Sequence, residues 1–287
     1  MQAERVANVK HIKSILSFIM AFIITFTLLP QEIYALSLSN KAQGWGYSKS
    51  VNHKTPSVSK GTIKLLAKYD GYYVYNTDEK IIYLTFDLGY DNGYTDKILN
   101  VLKKHHINAT FFVCKGTITG NPKAIKRMVT EGHVVANHTV NHIPFYKQSK
   151  SSLEEELQGV EKAYEEVTGD QMLKIVRPPE GGYSEKSLAI TKDLGYTSVF
   201  WSIALPNDWN LDKQPSRKAT LSLFKNQHHK GAIVLLHGVS PVVANNLDTM
   251  LTQLEDEDYE FGLVTDMIYR EKGFINITHG EKGLIKR

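Results

Sequence analysis

The chain has 287 residues, 42% hydrophobic and 22% charged, an ordinary globular balance that provides for one large domain with a full core or two small ones. Its net charge is +4 with the charges interspersed, an excess too small to point to nucleic acid as a partner. The single cysteine, Cys114, excludes an intrachain disulfide and any cysteine-rich zinc site; within the strand-like stretch NATFFVC it reads as a buried core thiol.

Lys10 and Lys13 precede an apolar run over 14–30, and Ile33-Tyr34-Ala35 resembles a signal-peptidase site. Residues 1–35 therefore read as an export signal, or as a membrane anchor if cleavage fails, because the run approaches a bilayer's width. No other membrane contact is expected, and the folded part is expected to be a monomer. The Ser-, Lys- and Asn-rich stretch 36–60 reads as a linker. Residues 61–80, with a short helix around 62–68 and GYYVY at 71–75, read as an extension of a main domain that runs over 81–275. A tail, 276–287, completes the chain.

Within the main domain strand signals fall at 81–86, 109–113, 134–136, 173–176, 198–202, 232–236 and 259–264, with helical patterns between most of them. One helix runs from Thr95 through Ile98, Val101, Leu102 and His105. The clearest is expected to start at Ser151 or Ser152, each followed three residues later by Glu, and to end at Gly169. Its apolar stripe is Leu153, Leu157, Val160, Tyr164 and Val167. About seven short strands alternating with helices predict an α/β fold, a parallel sheet closed into a barrel or wound as an open sheet. In a barrel the chemistry sits at the C-terminal strand ends.

Five of those ends carry chemistry-bearing side chains. Asp87 follows the first strand, HTVNH (His138 and His142) follows 134–136, and RPPEGGYS opens with Arg177 after 173–176. Asp208-Trp209 lies in the loop after 198–202, and His237 follows 232–236. Two imidazoles four residues apart can reach one cation, and imidazole suits zinc and related metals. Each residue also has an ordinary role. Asp87 can be a turn acid, Arg177 structural, His237 a core histidine and Asp208-Trp209 a surface turn. It is the convergence of all five on one rim that points to a site. No GxSxG elbow is present, and the glycines at 116 and 120 lack the ending of a phosphate loop. The pairs His105-His106 and His228-His229 read as charge at helix C-termini.

Lined up, these stretches resemble the polysaccharide deacetylases of carbohydrate esterase family four, the NodB-type domain, over roughly residues 45 to 270. The family's TFDDG reads here as TFDLG, H[ST]xxH as HTVNH, and the RPP motif as Arg177-Pro178-Pro179. The Asp-Trp motif is Asp208-Trp209, and the closing Leu-x-His is Leu235 and His237. GYDNGYT, FWS, LLHGVS and an upstream WGY are similar to the delta-lactam-biosynthetic peptidoglycan branch.

The resemblance implies a distorted (β/α) barrel that removes acetate from N-acetylmuramic acid in peptidoglycan outside the cytoplasm, leading to the muramic delta-lactam of spore cortex. Other N-acetyl glycans, or glycan binding without catalysis, are the alternatives. By the same resemblance Asp87 is the general base oriented by Arg177, and His237 the general acid tuned by Asp208. His138 and His142 hold a divalent metal, zinc or similar. The Glu180 backbone amide helps to bind the oxyanion, and the loop with Tyr183, together with Trp209, meets the glycan. Leu88 stands where many relatives have a third metal ligand, so the ion is expected to be weakly held.

Overall fold

The computed structural model describes residues 37–273. The expected export segment and the tail 276–287 lie outside them. Among the described residues no helix is long and apolar enough to cross a membrane.

The architecture follows from one strand. β3 (Ile81–Leu88) is buried along its whole length, as expected of a parallel strand covered on both faces. Alternation sends Ile82, Leu84, Phe86 and Leu88 outward into the main core, shared with the helices. It sends Ile81 and Tyr83 inward, where they pack with Phe112, Ala136, Ile175, Val199 and Ile233. Asp87 shares the inward parity at the strand's C-terminal end.

The neighbours of β3 complete a parallel sheet. β4 (Thr110–Val113), β5 (Val134–Asn137), β6 (Ile175–Val176), β8 (Thr197–Val199) and β2 (Gly71–Tyr72) follow on one side. On the other side come β10 (Ala232–His237) and β9 (Ile203–Ala204), and β11 (Glu260–Gly262) pairs the first half of β3. All seven expected strands are present, with β2 and β9 added. The stretch expected as one strand over 198–202 is in fact split. β8 ends at Val199, β9 begins at Ile203, and the two lie toward opposite ends of the sheet. Three intervening residues span no more than about 14 Å, so the sheet must curl into a distorted half-barrel that the chain itself bridges. The Phe200 amide donates to the Tyr72 carbonyl (2.7 Å) and the Ser202 amide to that of Ile233 (2.9 Å), which holds the bridge in place.

Two further expectations are corrected. The helix Lys150–Thr168 is capped by Ser149, whose hydroxyl accepts from the Ser152 amide; Ser151 and Ser152 already lie in its first turn. Gly169 ends it at φ 78°, as its lack of Cβ allows. The stretch read as a linker folds onto the domain. β1 (Gln43–Gly44) pairs antiparallel with β7 (Gly182–Tyr183), Trp45 stacks on Phe200 at 4.5 Å, and its indole N–H donates to the Trp201 carbonyl. Two aromatic anchors, Trp45 and Tyr47, outweigh the polar composition around them. His228 is the C-cap of the helix Arg217–Gln227, as expected, but both it and His229 are buried, and His229 Nε2 lies 2.9 Å from the Ser202 hydroxyl.

Candidate active site

The register of β3 and β10 pairs Asp87 with His237 on adjacent strands. Two residues that are 150 positions apart in sequence thus become side-by-side neighbours at the C-terminal rim. Each has its own oppositely charged partner. Arg177, wholly buried just past β6, donates from Nη1 to Asp87 Oδ1 at 2.7 Å. Its other donors reach the Val199 carbonyl (3.2 Å) and the Phe200 carbonyl (3.4 Å), at the gap between β8 and β9. The Phe112 ring lies 4.2 Å from its guanidinium carbon, a cation–π contact that eases its desolvation. Burial by itself would raise the Asp87 carboxyl, but the surrounding cationic groups, Arg177 foremost, outweigh it and hold the group below its ordinary value.

The second pair mirrors the first. His237 Nδ1 donates to Asp208 Oδ1 at 2.7 Å, and its backbone amide donates to Oδ2 at 2.8 Å. Burial opposes protonation of this ring, yet the Asp208 hydrogen bond and the charges of Asp208 and Asp87 raise it above the usual histidine value. The carboxyl is thus biased toward its ionised form and the neighbouring imidazole toward its protonated form, the two directions a base and an acid need at the same pH. The sign for His237 follows. As an acid it acts while protonated, so activity is lost as pH rises through its raised value. Asp208→Asn removes the charge that raises it, and the alkaline limb of the kcat/KM profile is expected at lower pH. A limb that stays put would separate Asp208 from His237.

The histidine loop is built by β5 and the helix Lys150–Thr168. The Asn137 side chain accepts from the Thr139 amide and donates to the Leu157 carbonyl. The Thr139 hydroxyl accepts from the His142 amide, and the buried Glu156 carboxylate takes the Asn141 amide. Asn137, Glu156 and Phe112 escaped the sequence reading. Glu156 alone left a signal, as an acid on the buried face of an amphipathic helix. His138 Nδ1 donates to the Arg177 carbonyl at 2.9 Å, which leaves Nε2 as the acceptor. Burial pushes this ring down to about 4, against the pull of Asp87, so it is neutral at neutral pH. Its Nε2 lies 3.6 Å from Asp87 Oδ2. Two acceptors facing one another across that gap are suited to a cation or a water between them. The exposed His142 ring stands 4.8 Å away at 70°. This donor set fits a divalent ion, although no cluster of three or more His, Cys, Asp or Glu forms a metal site among the described residues.

Leu88 does not face the histidines. It is fully buried in the outward core, on the face of β3 opposite Asp87. A Cβ at Gly238 would come within 2.6 Å of its Cδ2, so the two residues interlock. Leu88→Asp is expected to cost about 3 kcal/mol or more by burying a carboxylate among apolar groups. Thermal melts with and without zinc check this; an unchanged Tm together with tighter metal binding would refute it.

The other expected contacts divide. Glu180 is exposed and its backbone lies in the left-handed region at φ 56°, a strained conformation often found at functional turns. Trp209 is 56% exposed beside Asp208, and Tyr90 and Ile143 are exposed on the loops after β3 and β5. Tyr183 is 2% exposed, packed edge-on against Phe200 with its hydroxyl near that of Thr62. The strap at β1 covers it, which removes its ring from any glycan-facing role.

A curled parallel sheet with paired Asp–Arg and His–Asp at its rim defines the class. Residues 74–199 match the polysaccharide deacetylase family. The chain is 41% identical to the peptidoglycan-N-acetylmuramic acid deacetylase PdaA of Bacillus subtilis over 83% of its own length and 90% of that protein's. The structure of the same relative, described as a family 4 carbohydrate esterase, superposes with a TM-score of 0.79, covering 82% of this chain and all of that one. A family 4 carbohydrate esterase from Bacillus anthracis follows at 37% identity and TM-score 0.68, covering 81% and 98%. A peptidoglycan-N-acetylglucosamine deacetylase of Bacillus cereus is 32% identical over 67% of this chain and 89% of its own. The chain belongs to the polysaccharide deacetylase family, whose members are hydrolases that generally depend on a divalent metal.

Proposed function

We propose that the chain hydrolyses the acetamide of N-acetylmuramic acid residues in peptidoglycan, and that the freed amine closes onto the sugar's own lactyl carboxylate as a muramic delta-lactam. The observation that carries this reading is the pairing of Asp87 and His237 in register, each with its buried counter-charge. The resemblance to the muramate deacetylase supplies the sugar.

An acetamide is a poor electrophile with a poor leaving group, so water must be activated and nitrogen protonated in one site. Asp87, held ionised by Arg177, takes a proton from water as its oxygen adds to the carbonyl carbon. The Asp208 bond occupies His237 Nδ1 and leaves Nε2–H to protonate the nitrogen as the C–N bond breaks, giving acetate and amine. His138 and His142 would hold a divalent ion, which polarises the carbonyl when bound. The Glu180 amide is assigned to the oxyanion and exposed Trp209 to the glycan strand. Lactam closure then forms an amide with loss of water between two groups of one sugar, an intramolecular step favoured by proximity. Peptidoglycan lies outside the cytoplasm, which agrees with an export role for residues 1–35.

The test is incubation with glycan strands whose muramate residues lack stem peptides and, separately, with chitin oligosaccharides, read by mass spectrometry. Loss of acetyl followed by loss of water from muramate is expected. Acetyl loss confined to glucosamine would overturn the substrate, and no loss from either would overturn the enzyme. Dialysis against chelator, with elemental analysis, is expected to reduce turnover at least about tenfold, with recovery on adding zinc. Full activity of verified metal-free protein would remove the ion.

A further inference from the structure

Asp208 sits in an irregular loop between β9 and the helix Arg217–Gln227. A catalytic geometry held to a fraction of an ångström on such a loop needs support from neighbouring side chains. One side chain, half-buried Gln214, spans the distance from this loop to the His237 strand end. Its Nε2 donates to the Asp208 carbonyl (2.5 Å) and the Asn210 carbonyl (2.9 Å), with the Asn207 carbonyl at 3.5 Å. Its Oε1 accepts from the Ser240 hydroxyl (2.9 Å) and the Val242 amide (3.3 Å). A carboxamide has two N–H donors and two lone pairs, and all four are used. Ser240 in turn donates its amide to the His237 carbonyl at 3.1 Å. Gln214 thus ties the backbone of Asp208 to the turn that follows His237, parallel to the two direct bonds between them.

We infer that Gln214 is a positioning residue for the Asp208–His237 pair, holding the carboxylate on Nδ1 so that the ring delivers its proton from Nε2. The inference rests on the proposed role of His237 as acid. The loop also presents Trp209 and Leu211 to solvent, so any substrate seated on those side chains would pull on the same segment. Without the tether, Asp208 would move with them. The charged groups facing His237 are Asp208, Asp87 and Arg177; Gln214 adds no charge and acts through geometry.

Gln214→Met keeps the length and bulk of the side chain and removes its hydrogen bonds; Gln214→Ala removes both. Each is expected to lower kcat about tenfold with KM within about twofold, since only the transition state needs the aligned acid. The alkaline limb of kcat/KM should move to lower pH in both. In an Asp208→Asn background, Gln214→Met should add less than about a twofold loss, because two residues acting through one interaction are not additive. Full multiplication of the two losses, or a lowered Tm with kcat and the pH limb unchanged, would overturn the inference. NMR keeps this distinct from the proposed function. The downfield signal of the proton shared by Nδ1 and Asp208 should be sharp in the wild type and broadened in Gln214→Met whatever the substrate. An equally sharp signal in the variant would also sink the tether. That same sharp-to-broadened change, in a wild type with no deacetylase activity, would uphold the tether and refute only the activity.

Discussion

Asp87→Asn is expected to lower kcat by about 10²–10⁴-fold, the range a positioned general base contributes, in a protein that still folds. The amide is isosteric and its oxygen can still accept from Arg177 Nη1, so the geometry survives while the ability to take a proton is lost. The charge is lost as well, and that has a second effect. Arg177 is wholly buried, and its ionic partner is Asp87. Leaving a buried cation with neutral acceptors and the Phe112 and Trp201 rings, but no counter-charge, should cost about 3 kcal/mol. Circular dichroism should therefore show a native fold with a lowered melting temperature, alongside near-zero acetate release. Turnover within threefold of wild type, on the order of experimental scatter in such comparisons, would take the base role from Asp87.

Arg177→Met should damage both stability and rate. Removing the guanidinium strands the Asp87 carboxylate and the Val199 and Phe200 carbonyls at once, and breaking a buried pair from one side costs about 3–5 kcal/mol. Arg177→Lys should fail as well, because three acceptors in different directions need a planar fork of donors rather than a point charge. The rate effect has a definite sign. Arg177 opposes the rise that burial imposes on Asp87, so without it the carboxyl stays protonated to higher pH and the acid limb of kcat/KM moves up. A stable Arg177→Met protein with an unmoved acid limb would contradict the assignment.

The convergence of Asp87, His138, Arg177, Asp208 and His237 was legible because parallel strands are apolar runs and the residue just past each run lands on one rim. The branch of the family was legible through resemblance, in GYDNGYT, FWS, LLHGVS and the upstream WGY. Less legible were features set by pairing between distant segments. The break at 200–202 depends on Tyr72 and Ile233 taking alternate amides, and local β propensity reads straight through it. Tyr183 looks like a loop residue until β1 lies across it. Leu88 looks like a vacated ligand position until strand parity turns it into the core against Gly238. Gln214 sits in a polar loop of no recognisable pattern, and only the fold brings Ser240 to it.

The strap at residues 43–47 lies upstream of the family match at 74–199. Trp45 fills a notch that exists because residue 181 is glycine: a Cβ there would fall 2.5 Å from the Trp45 Cβ. A recombinant fragment begun at residue 74 and carried through residue 273 would bare the Phe200 ring and unseat the turn that carries Glu180. Truncation there would yield a sticky, poorly active protein, and its failure would say nothing about the chemistry. Expression should start ahead of Ser37.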